Sequence, residues 1–208
     1  MAVVFSDDFN RADGSPGANW TGYFSTWAIA SNQVTVSTGA TPTGNQLEYT
    51  GSGSSLADCS VAVKHISTAS NPGGVTARRA SGVDTHYIWR VYTDGGWELC
   101  RKITGSITVV LNDGGTKLTL VSGAIIKLTV TGSGATVTLD MNYNGVAVTT
   151  YNDTDGSRIT VAGVSGIYGH VDGTIFDDFV LDDLTVGGND LSTVVGRALG
   201  RGASPISA

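Results

Sequence analysis

The amino-acid sequence predicts an all-β protein, folded as two antiparallel sheets packed into a sandwich. Its 208 residues include 29 glycines but only two glutamates, Glu48 and Glu98, whereas helical surfaces are usually rich in glutamate, lysine and alanine. Short segments of alternating apolar and polar residues are separated by glycine-rich turns. About a dozen such strands in a single sheet would expose long edges, so two packed sheets are expected.

The predicted strands follow from this alternation and from the turns between them. Cys59, Val61 and Val63 share one face of a strand, while Ser60 and Ala62 share the other. Turns are indicated at residues 31–32, 71–74, 94–96, 113–115 and 144–145. In chain order, the predicted strands are residues 3–9, 27–29, 33–36, 46–50, 59–65, 75–79, 86–93, 97–103, 106–111, 117–121, 125–131, 136–141, 146–151, 165–168 and 175–186.

The first and last predicted strands carry the same tripeptide, Asp7-Asp8-Phe9 and Asp177-Asp178-Phe179. This repetition predicts that the two ends of one closed domain lie side by side. Residues 187–208 differ in composition, with small residues around a brief apolar stretch. We therefore expect a sandwich domain over residues 1–186 and a C-terminal arm or flexible tail over residues 187–208.

Charge and composition exclude several functional classes. The net charge of −6 comes with no basic stripe, so nucleic acid is not an expected partner. No apolar run is long enough to span a membrane, and no basic segment followed by an apolar run indicates a signal peptide. Cys59 and Cys100 are predicted to be buried thiols rather than a disulfide.

Three stretches carry a resemblance to a known superfamily. Residues 7–21 (DDFNRADGSPGANWT) form the first, residues 73–92 (GGVTARRASGVDTHYIWRVY) the second, and residues 125–186 the third, with Asn144-Gly145, Gly166-Ile167 and a final Phe-Asp-Asp strand. Their order resembles the concanavalin A-like, or laminin-G-like, jelly-roll superfamily. The resemblance implies a two-sheet antiparallel jelly roll, and the opening motif is similar to modules in bacteriophage structural proteins.

The same superfamily includes glucanases, but their catalytic pattern is missing here. The glucanase branch has the string Glu-x-Asp-x-(x)-Glu on one strand, which directs its carboxylates into a single cleft. In this chain the two glutamates are isolated from each other in sequence. The sequence therefore predicts a protein that is not an enzyme.

Aspartates at the two ends of the domain are candidate calcium ligands. If the terminal strands pair, the side chains of Asp8 and Asp178 come close, and oxygen-rich clusters suit Ca²⁺. The alternative is that these aspartates face solvent and protect a sheet edge. A structural calcium ion is the single cofactor that the sequence indicates.

Aromatic and planar polar side chains on residues 86–92 are candidates for sugar binding. Alternation places Tyr87 and Trp89 on one face of the strand, and Arg90 and Tyr92 on the other. One face must belong to the core, and we predict that Arg90 and Tyr92 form the exposed, ligand-binding pair.

The sequence interpretation is a non-enzymatic bacteriophage virion protein, either a capsid decoration or a minor tail component, made in the host cytoplasm. Its expected partners are other virion proteins, copies of itself and host surface glycans. Assembly would use the apolar side chains of the C-terminal arm, Leu191, Val194, Val195 and Leu199. The alternatives are a free-standing carbohydrate-binding lectin domain and, less favoured, a glycoside hydrolase.

Overall fold

The computed structural model describes residues 2–38, 44–66, 72–80, 82–170 and 173–185. These residues form fifteen strands. The strands are β1 (Ala2–Asp7), β2 (Trp20–Tyr23), β3 (Thr26–Ala30), β4 (Gln33–Thr38), β5 (Asn45–Tyr49), β6 (Cys59–His65), β7 (Gly73–Arg79), β8 (His86–Val91), β9 (Trp97–Ile103), β10 (Ser106–Asn112), β11 (Ala124–Thr131), β12 (Val137–Tyr143), β13 (Val146–Asp153), β14 (Val164–Gly169) and β15 (Ile175–Asp183).

The strands form two antiparallel sheets that pack into a sandwich. The eight-stranded sheet has the order β13-β12-β11-β6-β15-β4-β3, with β1 also paired to β15. The seven-stranded sheet has the order β10-β9-β8-β7-β14-β5-β2. The predicted all-β, two-sheet fold is confirmed, and none of the described residues forms a helix long and apolar enough to cross a membrane.

The core lies between the sheets and is built by strand alternation. In β11, Ala124, Ile126, Leu128 and Val130 are buried, while the residues between them are half-buried. Complete burial of a side chain such as Leu128 contributes about 1.5–3 kcal/mol. The thiols of Cys59 and Cys100 are both free and buried, as predicted.

The two ends of the domain meet as the repeated tripeptide predicts. Strand β1 pairs antiparallel with β15, and Asp7 lies opposite Phe179. The aromatic ring of Phe179 packs edge-on against Trp20, with 4.9 Å between centroids. The first and last strands therefore share one part of the core.

Three strand predictions were wrong in detail. Residues 117–121 do not form a strand. The Leu118 amide donates a hydrogen bond to the carbonyl of Gly95, which lies in a turn, so residues 117–121 do not pair with a neighbouring strand. Strand β2 was missed because its segment, Trp-Thr-Gly-Tyr, is too short and too glycine-rich to show alternation. The last strand ends at Asp183 rather than extending to residue 186.

The Arg78 side chain links three segments that connect strands at one end of the sandwich. Its fully buried guanidinium donates hydrogen bonds to the carbonyl oxygens of Ile159 (2.8 Å) and Gly132 (2.7 Å) and to the Asp58 carboxylate (3.2 Å). The residue has a positive φ of 56°, which lets its side chain leave the regular alternation of β7. Arg78 therefore has a structural role in the second stretch of the superfamily resemblance.

Candidate functional site

The outer face of the seven-stranded sheet carries the sugar-binding residues that the sequence suggests. Alternation along β8 buries Tyr87 and Trp89 in the core between the sheets. Arg90 lies on the opposite face of the strand, and Tyr92 follows directly after the strand ends. Both side chains are half-buried rather than freely exposed.

Arg90 and Tyr92 meet at the carboxylate of Glu98. Glu98 lies directly opposite Arg90 in the β8–β9 pair. The Nε and Nη2 atoms of Arg90 donate to Glu98 Oε2 at 3.0 and 2.6 Å, and the Tyr92 hydroxyl donates to the same oxygen at 2.7 Å. Arg90 Nη1 donates to the Tyr168 hydroxyl at 3.0 Å. These bonds hold four planar side chains in one arrangement.

The electrostatics of this cluster fix the direction of its hydrogen bonds. Burial, together with the hydrogen bond to Glu98, raises the pKa of the Tyr92 hydroxyl above its usual value. Tyr92 therefore stays protonated and acts as a donor to Glu98 at neutral pH. Two nitrogen atoms of Arg90 and the Tyr92 hydroxyl all donate to Oε2 of Glu98. Among the described residues, none donates a hydrogen bond to the second carboxylate oxygen, Oε1.

Glu98 and Tyr92 line an open cleft of about 340 Å³. The full lining consists of Tyr92, Thr93, Asp94, Gly96, Trp97, Glu98, Asn112 and Asp113. The cleft thus combines aromatic rings with carboxylate and amide oxygens. Such groups can accept hydrogen bonds from the hydroxyls of a small polar ligand, while the rings cover its apolar face.

Further along the sheet, the same outer face is buried. Gln46, Arg79 and His86 are buried there, and Gln46 bonds to the other two, with Arg79 Nε donating to Gln46 Oε1 at 3.0 Å. Gln46 Nε2 and His86 Nε2 are 2.9 Å apart, and the Arg79 guanidinium lies 3.6 Å from the centroid of the Tyr23 ring. These three side chains are buried, whereas Tyr92 and Glu98 are half-buried and line an open cleft.

The sequence predicts Arg90 and Tyr92 as a ligand-binding pair but does not indicate the residues that orient them. Glu98 was considered only as a catalytic acid, and Tyr168 was not singled out. The turn at residues 94–96 was recognised in the sequence, and counting outward from it pairs Arg90 with Glu98. No sequence signal places Tyr168 in the cluster, since strand β14 lies two strands away from β8.

The two glutamates of the chain do not form a close pair. Glu48 lies on β5 and Glu98 on β9, and strands β14, β7 and β8 lie between them. Glu48 is fully buried, and the Thr76 hydroxyl donates to it at 2.9 Å. Burial raises the pKa of Glu48 to about 8. These two residues therefore lack the arrangement around one cleft that glycoside hydrolysis requires.

The predicted calcium ligands line one cleft at the domain ends. This cleft of about 690 Å³ is lined by Ser6, Asp7, Asp8, Asn10, Asn32, Lys64, Asp177, Asp178, Phe179 and Val180. The Lys64 ammonium lies 3.2 Å from an Asp178 oxygen and so supplies a positive charge there. No group of three or more His, Cys, Asp or Glu side chains with metal-binding geometry occurs among the described residues. Calcium binding stays a prediction.

Thermal unfolding tests the calcium prediction. If calcium joins Asp8 and Asp178, a concentration ten times the dissociation constant will stabilise the fold by about 1.4 kcal/mol. We expect a rise in Tm of about 3–6 °C, which Asp178→Asn will abolish. The exposed control Asp140→Asn will keep the response, and an unchanged Tm in the unmodified protein would rule out the site.

The predicted assembly residues Leu191, Val194, Val195 and Leu199 lie outside the described residues.

Solved structures with the same fold include proteins that bind or process carbohydrates. The carbohydrate-binding module CBM66 from Bacillus subtilis matches with a TM-score of 0.57 and 14% identity, over 79% of this chain and 94% of that one. A xylan beta-1,4-xylosidase from Bacillus halodurans matches with a TM-score of 0.52 and 14% identity, over 86% of this chain but 39% of the enzyme. A bifunctional GH43-CE protein from Bacteroides eggerthii has a TM-score of 0.55 and 15% identity, over 86% and 27% of the two chains.

These similarities establish the architecture. The chain has a concanavalin A-like jelly-roll fold. It spans nearly the whole of the binding module but less than half of either enzyme-containing chain. A scan against models of protein families and a search of curated protein sequences found no match.

Proposed function

We propose that this protein is a non-enzymatic carbohydrate-binding domain that holds a glycan in the cleft beside Tyr92 and Glu98. The observation that carries the proposal is the Glu98 carboxylate, which has one oxygen held by three donors and lines an open cleft next to an aromatic ring. The likeness to a complete carbohydrate-binding module supports it. This is the lectin alternative of the sequence interpretation.

Binding would rest on a preorganised acceptor. Arg90 and Tyr92 hold the Glu98 side chain in place, so little conformational entropy is lost when a sugar hydroxyl donates to Oε1. A hydrogen bond to a charged carboxylate contributes about 1.5–3 kcal/mol. The Tyr92 ring would cover the apolar face of the sugar.

A glycan array followed by calorimetry tests the proposal. We expect the unmodified protein to bind at least one class of glycan and Glu98→Gln to weaken that binding about tenfold or more, because the acceptor loses its charge. Tyr92→Ala is expected to weaken binding similarly by removing the ring. Both variants should keep the circular dichroism spectrum of the unmodified protein.

The matched control is Arg158→Gln, on a loop away from the cleft. Arg158 donates only to the backbone carbonyls of Gly134 and Asp155, so its replacement should leave glycan affinity unchanged. If Glu98→Gln bound the glycan as tightly as the unmodified protein, the binding site would have to lie elsewhere. Release of reducing ends from the bound glycan would overturn the non-enzymatic assignment.

Placement in a virion rests on the resemblance of the opening motif alone and stays a prediction. It is compatible with glycan binding, because a virion protein with this domain would recognise host surface glycans. Mass spectrometry of purified particles tests the location directly.

A further inference from the structure

One side of the sandwich lacks the charges that usually protect sheet edges. Strands β10 and β13 are the edge strands on this side, one in each sheet. Neither β10 nor residues 146–152 of β13 carry a charged side chain. Exposed edges are normally blocked by charged residues, proline or a covering segment. The edge strands of the opposite side, β2 and β3, carry no charge either. What distinguishes the β10–β13 side is therefore the apolar groove next to β13.

Beside β13 lies an apolar groove of about 650 Å³, here called the β13 groove. It is lined by Trp97, Thr116, Lys117, Leu118, Thr119, Val121, Tyr143, Asn144, Val146, Ala147 and Val148. Val146 is 69% exposed and Val121 is 52% exposed, although both are large apolar residues. Burying one such side chain contributes about 1.5–3 kcal/mol, so the groove can bind an apolar segment.

We propose that residues 187–208 of a second copy of this chain bind in the β13 groove. Within that segment, Leu191, Val194, Val195 and Leu199 have the spacing that places apolar side chains on one face of a helix. An amphipathic segment laid into an apolar groove is a recurring mode of protein recognition. The β13 groove would thus be the binding site for the predicted assembly arm, whether or not the protein binds a glycan.

Charge favours the same occupant. Residues 187–208 contain Arg197 and Arg201 but one acidic residue, Asp190, so their net charge is +1. The whole chain carries −6, which leaves −7 on residues 1–186. The segment is therefore attracted to the domain electrostatically as well as through its apolar side chains.

The register of the eight-stranded sheet favours a second copy over self-binding. Asp183 of β15 lies in the same row as Tyr151 of β13, with four strand spacings between them. On β13, Val146 comes five residues before Tyr151, which places Val146 about 25 Å from Asp183. The eight residues from Asp183 to Leu191 span at most about 26–29 Å when fully extended. Placing Leu191 beside Val146 of the same chain would therefore need a nearly straight connection, whereas a second copy imposes no such demand.

Light scattering on full-length variants tests the proposal. We expect the unmodified protein to be a dimer or larger, and both Val146→Lys in the groove and Val194→Lys in the segment to raise the dissociation constant at least tenfold. Val161→Lys is the matched control, since Val161 is 56% exposed on a loop outside the groove, and it should leave the mass unchanged.

Mixing the two weakened variants gives the decisive result. Val146→Lys retains an intact segment and Val194→Lys retains an intact groove, so an equimolar mixture should recover association with one good contact. A monomeric unmodified protein, or a mixture that stays monomeric, would overturn the proposal. Loss of association in Val146→Lys without loss in Val194→Lys would also overturn it, because the two copies would then pair through their sheet edges.

Discussion

Replacing Asp153 with asparagine will lower the free energy of unfolding by about 3–5 kcal/mol. The Asp153 carboxylate is fully buried and lies 2.8 Å from the Arg101 guanidinium. The Tyr87 hydroxyl donates to it at 2.7 Å, and the Ile159 amide donates in turn to that hydroxyl at 2.9 Å. The neutral amide would leave the nearly buried Arg101 without its main counter-charge. Urea unfolding at neutral pH measures the loss.

Asp155→Asn is the matched control for this prediction. Asp155 also contacts Arg101, at 3.2 Å, but its side chain is 53% exposed to solvent. An ion pair with a solvent-exposed partner is strongly screened by water, so this variant should lose far less stability than Asp153→Asn. Similar losses in both variants would mean that the stabilisation does not come from burial of the Asp153–Arg101 pair.

Replacing Glu48 with glutamine will stabilise the protein at pH 8 but not at pH 4.5. Burial raises the pKa of Glu48 from 4.5 to about 8, because the charged form loses its solvation. Glutamine keeps an oxygen that can accept from the Thr76 hydroxyl but has no charge to bury. The gain at pH 8 should be large, since loss of solvation on burial is the main cause of the raised pKa of Glu48.

The sign of the pH dependence follows from proton linkage. Between pH 4.5 and 8, the folded protein keeps the Glu48 proton that the unfolded chain has released. Stability from this residue therefore falls as pH rises, by about 1.4 kcal/mol per pH unit in that window. Burial lowers the pKa of His65 to about 4, which makes stability rise with pH in the acidic part of the same range.

The difference between Glu48→Gln and the unmodified protein isolates the contribution of Glu48, because His65 is common to both. We expect this difference to grow steadily in urea unfolding at pH 5, 6.5 and 8. Asp140→Asn, at an exposed carboxyl, is the control and should show a nearly constant difference. A constant difference for Glu48→Gln as well would show that its carboxyl ionises alike in the folded and unfolded chains.

The candidate site shows which parts of a β protein can be predicted locally. Alternation places Arg90 and Tyr92 on the face opposite Tyr87 and Trp89, and the face of Tyr87 and Trp89 is the core. Glu98 could have been added from the turn at residues 94–96, which sets the register of the hairpin. Tyr168 could not, because no turn connects its strand to β8.

Local patterns in the sequence predict the strand-rich architecture, most strand positions, the meeting of the two chain ends and the buried thiols. These features depend on residue alternation, turn residues and composition, which act over a few neighbouring positions. The tertiary structure decided what strands distant in sequence bring together. It separates the two glutamates, places Lys64 in the acidic cleft and puts β13 at the edge of its sheet. The order of strands across each sheet, which local patterns do not encode, is the physical reason for that division.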